Sequence, residues 1–200
     1  MFYIGKIQIK IDYTFFAVIA LLIFIDTSGT ATLSLIASLI HETAHLIAML
    51  VCKSELQRIV FYGGGICIIS NRNSLCFKKR LIVLSAGCVS NAVIAVTGFI
   101  FFSDNYTLTI FSMVNAIICV FNLIPVGYFD GAEILDIVLT RFLSLKKVEI
   151  TKRVVSLFFS VILIFAVVGY CFVYKGSISI SFLFVILYLI IAQFVCWYLL

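Results

Sequence analysis

Residues 31–51 read ATLSLIASLIHETAHLIAMLV, an apolar run of membrane-spanning length that contains both histidines of the chain. The run has no Gly or Pro and no charge besides Glu42, so it predicts one continuous membrane helix. His41 and His45 are four residues apart and would share a face of that helix, where both imidazoles can reach one metal ion. Ionisable groups in hydrocarbon are costly, so their presence here indicates a function.

The composition of the whole chain predicts a membrane protein. Apolar residues make up 64% of the 200 residues and charged residues 12%, whereas soluble domains are about half apolar and about a quarter charged. The apolar runs predict six spans, at about residues 11–27, 31–51, 81–102, 106–126, 154–173 and 178–200. We therefore predict an all-α polytopic membrane protein, a single domain over residues 1–200 without a CBS or PDZ domain.

The first of these spans has two interpretations. Its strictly apolar part is short enough to be the core of a signal peptide. Against cleavage, only a poor small-residue site follows at residues 28–31, and Ile7, Ile9 and Ile11 can extend the span. We expect the span to be retained.

The distribution of positive charge predicts the orientation in the membrane. Lys and Arg number 2 before the first span, 6 between the second and third spans and 5 between the fourth and fifth, whereas Lys175 alone falls on the other side. The positive-inside rule then places both termini and both long loops in the cytoplasm. Because the charges lie between spans, the net charge of +5 does not indicate nucleic-acid binding.

One polar stretch between the second and third spans has the pattern of a strand. Within residues 58–62, Ile59 and Phe61 alternate with Val60 and Tyr62, as on the two faces of a strand. Three glycines follow, Gly63, Gly64 and Gly65. Glycine permits tight turns and close approach of another backbone. The stretch therefore predicts a short hairpin or re-entrant β segment.

The histidine pair and its neighbour Glu42 fit the needs of a hydrolytic zinc site. Zinc lowers the pKa of water, and a carboxylate next to the metal can accept the proton. The alternative is a pair of histidines that are packed or hydrogen-bonded between helices. We favour metal binding, because a glutamate directly after the first of two histidines with this spacing rarely arises by chance.

Two histidines leave zinc one protein ligand short of the usual three in catalytic sites. The candidate carboxylates are Asp12, Asp26, Asp104, Asp130, Glu133 and Asp136. His45 lies ~12 Å from the basic boundary at Lys53, and Asp130 lies at most ~16 Å from Arg141, at the helical rise per residue. Depth therefore favours Asp130, with Glu133 and Asp136 further along. Pro125 supports this choice, because it breaks a membrane helix just before Asp130, and such a break is tolerated at membrane depth where it lines a polar cavity or packs on protein. The alternative is a proline kink at the end of an ordinary span, with Asp130 at the level of the headgroups.

Three segments of the chain resemble the site-2 protease family of intramembrane zinc metalloproteases. Residues 41–45 resemble the HExxH motif of the family, residues 122–131 match its N-x-x-P-x-x-x-x-D-G pattern, and residues 85–91 resemble its G-P-x-x-N. The resemblance covers about residues 5–140, and the last two spans match only as hydrophobic helices. The family resemblance implies an intramembrane protease in a bacterial cell membrane.

The start of the chain, its glycine-rich segment and its six-span layout are similar to the sporulation branch of that family. In that branch the protease processes a membrane-associated pro-sigma factor. The resemblance therefore implies a membrane-embedded or membrane-associated protein as the substrate. It leaves inhibitory membrane partners and the oligomeric state open.

Carried over by position, the resemblance implies a role for each matching residue. It implies one Zn²⁺ per chain with Glu42 as the general base and with the ligands His41, His45 and Asp130. It implies substrate contacts by Asn122, Pro125 and the added-strand segment Gly63, Gly64 and Gly65. Gly87 and Asn91 belong to a structural motif.

Three positions depart from the family pattern. Cys88 replaces a proline, Gly127 stands where a second proline often occurs, and Ala132 replaces a frequent second glycine. These changes leave the catalytic residues intact and bear on loop geometry and substrate choice.

The predicted activity is hydrolysis of a peptide bond near the cytoplasmic face of the membrane. Two alternatives belong to other classes. A metal-ion carrier could use the same ligands for transit, although it has no need of Glu42. A non-catalytic membrane scaffold, or pseudoprotease, would bind its partner without cutting it.

Overall fold

The computed structural model describes residues 2–4, 7–26, 28–62, 65–70, 75–127 and 129–174. Within them, the strands are β1 (Phe2–Ile4), β2 (Ile7–Ile11), β3 (Leu56–Tyr62) and β4 (Gly65–Ser70). The helices are α1 (Tyr13–Ile25), α2 (Thr30–Val51), α3 (Phe77–Phe101), α4 (Tyr106–Leu123), α5 (Asp130–Thr140) and α6 (Leu145–Tyr174). The chain divides into two compact units, Met1–Val120 and Phe121–Leu200. The predicted span at 178–200 lies outside the described residues.

Within the part of the chain that the structure describes, three helices are long and apolar enough to cross a membrane, namely α2, α3 and α4, and α1 is a shorter apolar helix. Large apolar side chains are exposed along them, such as Phe24 at 88% and Phe101 at 72%. Extended apolar surfaces of this kind mark contact with lipid or with a partner. The mainly helical membrane class is therefore confirmed, whereas the count of six spans stays a prediction.

Residues 7–11 form a strand, and the prediction that they extend the first span is wrong. Their sequence, IQIKI, alternates β-branched and polar residues with the two-residue period of a strand. β2 pairs antiparallel with β1 and parallel with β3, in a sheet with the order β1-β2-β3-β4. A side-chain hydrogen bond supports the parallel pair, because Arg58 Nε donates to Gln8 Oε1 at 2.6 Å.

The predicted hairpin is confirmed as β3 and β4, which pair antiparallel from Leu56 opposite Ser70 to Tyr62 opposite Gly65. The two residues that connect the strands, Gly63 and Gly64, lie outside the described residues. Among the strands described, β4 forms one edge of the sheet and β1 the other.

The sheet places the two ends of the α1–α2 hairpin on one side. β2 precedes α1 and β3 follows α2, yet the two strands are direct neighbours. The pairing continues up to the start of α1, where the Asp12 amide donates to Phe61 O at 2.8 Å. The segments before α1 and after α2 therefore lie next to each other, while the orientation of the chain in the membrane stays a prediction.

Asp26 fixes the connection between α1 and α2. Its Oδ1 accepts hydrogen bonds from the amide and hydroxyl of Ser28 at 3.1 and 2.8 Å, and its Oδ2 accepts one from the amide of Ala31 at 2.7 Å. Desolvation on its own raises the pKa of Asp26, but these bonds and one from the Thr32 backbone outweigh it and hold the pKa below its ordinary value. The ionised carboxylate therefore stabilises the first turn of α2.

α2 and α3 form the main helix–helix contact of the first unit. Five of the six buried positions of α3 recur every three or four residues and form one stripe, made of Val83, Gly87, Asn91, Ala95 and Gly98; Cys88 is the sixth. At the end of α3 that we predict to face the cytoplasm, Lys79 Nζ donates a hydrogen bond to the carbonyl of Cys52, at the end of α2, over 3.2 Å. Cys88, where the family has proline, continues α3 without a break.

In the second unit, Pro125 separates the end of α4 from α5. α4 ends at Leu123 and not at the predicted residue 126, because proline lacks an amide N–H and disfavours a helical residue before it.

α3 and α6 begin at Phe77 and Leu145, before the predicted starts at 81 and 154. They do so because a helix can continue beyond its apolar run into a basic segment.

Candidate metal centre

α2 carries both predicted histidine ligands in its buried face. The His41 and His45 side chains are 4% and 6% exposed, and their rings meet edge to face with centroids 4.8 Å apart. The two Nε2 atoms are 3.2 Å apart. The four-residue spacing therefore makes two ring nitrogens converge on one point.

The backbone carbonyl of Val83 in α3 orients the ring of His45. Nδ1 of His45 lies 2.7 Å from this oxygen and must be the donor, because a carbonyl only accepts. In a neutral imidazole the lone pair is then on Nε2, which faces His41. A hydrogen bond of this kind commonly fixes the tautomer of a metal-binding histidine. The contact thus presents Nε2 of His45 as the ligand atom.

Gly87 in α3 keeps the space beside the two Nε2 atoms open. A Cβ at this position would lie 2.6 Å from Cε1 and 2.7 Å from Nε2 of His41, and closer still to Nε2 of His45. Such distances are far inside van der Waals contact, so any side chain here would displace a ring. A glycine at this position is therefore required by the histidine pair.

In the second unit, Asp130 is the first residue of α5 and is half-buried. Gly131 next to it lets α5 approach the end of α4. A Cβ at Gly131 would lie 2.5 Å from the carbonyl carbon of Leu123 and 3.0 Å from that of Ile124. The break at Pro125 and this close approach together determine where Asp130 is held.

Gly127, within the same loop, has a φ of +58°, in the left-handed region that favours glycine. Proline is restricted to a φ near −65° and cannot adopt this conformation. The departure from a second proline at this position therefore has a physical reason. The backbone between Pro125 and Asp130 takes a path here that a proline would forbid.

His41 and His45 in the first unit and Asp130 in the second offer two imidazole nitrogens and one carboxylate oxygen as donor atoms. Two imidazole nitrogens and a carboxylate oxygen are a ligand set of catalytic zinc sites, and they leave a position for water. The orientation of His45 and the space that Gly87 leaves fit such a group. These three residues could bind a metal ion.

The alternative carboxylates of α5 have other surroundings. Asp136 accepts a hydrogen bond from Lys152 Nζ of α6 at 2.9 Å, with both side chains partly exposed. Glu133 lies in the first turn of α5 and is half-buried. The ion pair gives Asp136 a structural role between α5 and α6.

The other predicted site residues are spread over both units. Glu42 is half-buried on α2, Asn91 is fully buried on α3 one turn after Gly87, and Gly65 begins β4. Asn122 and Pro125, both half-buried, lie in the last turn of α4 and just after it. Their catalytic and substrate-binding roles stay predictions.

Sequence reasoning missed one functional contact, the Val83 carbonyl that orients His45. Every residue carries a carbonyl, so no residue type signals this contact. The spacing of Val83 and Gly87, four residues apart in an apolar helix, was the only available hint, because it puts both on one face.

Part of the chain is similar to a known family of peptidases. Residues 102–167, about a third of the chain, match the profile of Peptidase family M50. This segment includes Asn122, Pro125 and Asp130 but not the histidine pair. No curated protein is significantly similar to the chain in sequence.

Among solved structures, the chain is similar to the Site-2 Protease from Methanocaldococcus jannaschii. The TM-score is 0.66 at 18% sequence identity, and the match covers 96% of this chain and 92% of that one. At this identity the likeness establishes the fold. The chain therefore has the fold of a site-2 protease.

Proposed function

We propose that the chain is an intramembrane zinc metalloprotease, an endopeptidase of the site-2 protease type. The observation that carries the proposal is the buried pair His41 and His45, whose Nε2 atoms converge beside Gly87. The fold of a site-2 protease and the match to Peptidase family M50 support it. Asp130 is the proposed third ligand, because it offers the carboxylate oxygen that completes the donor set of two histidines.

Each residue has a separate task in the proposed hydrolysis. Zinc, when bound, supplies a Lewis acid that polarises the scissile carbonyl and makes water more acidic. Glu42 accepts the proton of the attacking water on a carboxylate oxygen and delivers it to the nitrogen of the leaving amine. Asn122 donates a hydrogen bond from its amide to the substrate. Val83 keeps the His45 ring in its ligating orientation.

The proposed substrate is an extended segment of a membrane-spanning or membrane-associated protein. A helical segment hides its carbonyls in internal hydrogen bonds, so it must unwind before attack. An edge strand such as β4, which begins at Gly65, supports binding of the unwound segment as an added strand, with Gly63, Gly64 and Gly65 as the proposed contacts. By similarity to the sporulation branch, the substrate is a pro-sigma factor that is cleaved at the cytoplasmic face of a bacterial membrane.

The first test is the zinc content of protein purified in detergent. We expect about one zinc per chain in the wild type, and loss of zinc in His41→Ala and in Asp130→Ala. Asp136→Ala is the matched control, because it removes a carboxylate of the same helix that pairs with Lys152, and it should retain zinc. Well-folded wild type without zinc would overturn the proposal.

The second test separates catalysis from metal binding. Glu42→Gln should retain zinc and lose at least about 100-fold in cleavage of a co-reconstituted pro-sigma factor, because general-base catalysis contributes about that much or more. Full cleavage by this variant would contradict the role of Glu42. Zinc flux into proteoliposomes, with no cleavage by the wild type, would instead indicate a metal-ion carrier.

A further inference from the structure

The connection between α5 and α6 in the second unit carries exposed apolar and exposed basic side chains within a few residues. Phe142 and Leu145 are 75% and 76% exposed, although both are large and apolar. Arg141, Lys146 and Lys147 are exposed as well. We call these five residues the α5–α6 corner. Water disfavours the apolar side chains of the corner and hydrocarbon disfavours its charges, so the corner suits the boundary between the two.

Backbone hydrogen bonds hold the corner in a defined shape. The amides of Phe142 and Leu143 both donate to the Leu139 carbonyl, at 3.0 and 2.9 Å, and the amide of Val148 donates to the Ser144 carbonyl at 3.0 Å. The Val148 side chain is 2% exposed and fixes the first turn of α6 by its packing. An ordered turn therefore presents the exposed side chains of the corner.

α6 connects the corner to a stripe of exposed apolar side chains. The stripe consists of Ile150, Val154, Phe158, Val161 and Phe165, which are between 48% and 72% exposed. Its members are three or four residues apart, as one face of a helix requires, and Lys147 comes three residues before the first of them. An apolar stripe on a helix that we predict to span the membrane indicates contact with lipid. The basic corner thus continues a surface that faces lipid.

The length of α6 places the corner close to the lipid headgroups. The predicted span begins at residue 154, and Lys147 lies ~10 Å before it at the helical rise per residue. The headgroup region on each side of a bilayer is about 5–8 Å thick. Lysine side chains near helix ends extend towards this region, so both lysines of the corner can reach lipid phosphates.

The positive charge of the corner has little compensation within the second unit. Lys152, further along α6, pairs with Asp136 at 2.9 Å. Lys146 and Lys147, by contrast, take part in no ion pair within the part of the chain that the structure describes. The acidic residue nearest to them in sequence, Glu149, is half-buried. The two exposed ammonium groups therefore attract an anion from outside the chain.

We propose that the α5–α6 corner binds the headgroup of an anionic phospholipid. Lys146 and Lys147 supply positive charge for the lipid phosphate, and the guanidinium of Arg141 donates hydrogen bonds to its oxygens. Phe142 and Leu145 lie at the boundary between headgroups and acyl chains. An acidic soluble protein would also neutralise the lysines, but the continuity of the corner with the lipid-facing stripe favours a lipid. The proposal stands independently of the proposed protease.

Fluorescence quenching by brominated lipids tests the proposal on the full chain. The reporter is Phe142→Trp in a Trp197→Phe background, because Trp197 is the only tryptophan of the sequence. The protein is reconstituted in phosphatidylcholine with increasing fractions of brominated phosphatidylglycerol or brominated phosphatidylcholine. We expect half-maximal quenching at a fraction at least about fivefold lower for phosphatidylglycerol, since one basic residue near the surface already gives about that preference. Identical curves for the two lipids would overturn the proposal.

A reporter that neither lipid quenches would overturn the proposal as well, because the corner would then face water, a soluble protein or a second copy of the chain. Leu145→Trp in the same background is a second reporter on the same surface, should Phe142→Trp fail to fold.

Substitution of the lysines tests which residues select the lipid. Lys146→Gln together with Lys147→Gln should abolish the preference, so that the two quenching curves coincide. Asp136→Asn together with Lys152→Gln is the matched control, because it removes an existing ion pair between α5 and α6 without a change in net charge. This control should keep the preference of the wild type. A preference that survives the loss of Lys146 and Lys147 would refute their role.

Discussion

The two histidines and the aspartate are held by opposite kinds of structure. His41 and His45 belong to one regular helix and face a second regular helix through Val83 and Gly87. Asp130 follows an irregular loop, in which a proline ends one helix and a left-handed glycine redirects the chain. The periodicity of a regular helix determines where the two histidines lie, whereas the position of the aspartate depends on particular loop residues. Glycine is indispensable in both places, but for different reasons.

The largest effect should come from Gly87→Ala, which breaks the histidine side of this comparison. The new Cβ would occupy the space beside both Nε2 atoms, so zinc affinity should fall by at least about 100-fold. Competition with a chelator measures the zinc Kd. Gly98→Ala is the matched control on the same helix: its Cβ would meet Ser112 and cost about 1–3 kcal/mol of stability. An unchanged zinc Kd in Gly87→Ala would contradict the steric argument.

Gly131→Ala tests the loop side in the same way. Its Cβ would press on the backbone of Leu123, so α5 must move and carry Asp130 with it. We expect zinc affinity to fall by about 10-fold, less than for Gly87→Ala, because the aspartate is one ligand of three. Ala132→Gly is the control. It removes a Cβ from the adjacent residue of the same helix and costs about 1 kcal/mol of helix stability. Equal zinc affinities in Gly131→Ala and Ala132→Gly would refute the role of Gly131.

Substitutions of Gly127 sharpen the comparison at the level of the backbone. Gly127→Ala must hold an L-residue at a φ of +58°, which costs about 1–2 kcal/mol of the free energy of unfolding. Gly127→Pro cannot reach this φ at all, so its loss should be larger. Unfolding in detergent measures both. A Gly127→Pro variant as stable as the wild type would show that the loop tolerates the proline geometry common in the family.

The smallest effect concerns Asp26, which lies apart from both regions. Its folded-state pKa is lowered by hydrogen bonds, so the carboxylate contributes stability that is fully present above the ordinary pKa of 3.8. That contribution is lost as the pH falls below 3.8 and through the lower pKa of the folded state. Thermal unfolding between pH 3 and 6 should therefore show a decline at the acid end that is weaker in Asp26→Asn. Identical profiles would contradict this contribution.

The histidine pair could be predicted from sequence because helical periodicity alone brings His41 and His45 together. The end of α4 near Pro125 was predictable for a similar reason, since proline acts on its own neighbours. The strand Ile7–Ile11 was missed, because an apolar run next to a span suits a longer span as well as a strand. Its identity depends on pairing with Arg58 and its neighbours, far away in the chain. The conformation of Gly127 was likewise hidden, because φ is not a property of residue type alone.

The parallel pairing of β2 with β3 has a consequence for the order of assembly during synthesis. Gln8 and Arg58 are 50 residues apart, and α1 and α2 lie between them. At cellular rates of elongation, β2 emerges from the ribosome roughly 3–10 s before its parallel neighbour exists. The short β1–β2 hairpin can form at once, but its other edge must wait until α1 and α2 have entered the membrane. Lys10 on that waiting strand is exposed, and a charged residue on an open edge discourages pairing with other chains in the interval.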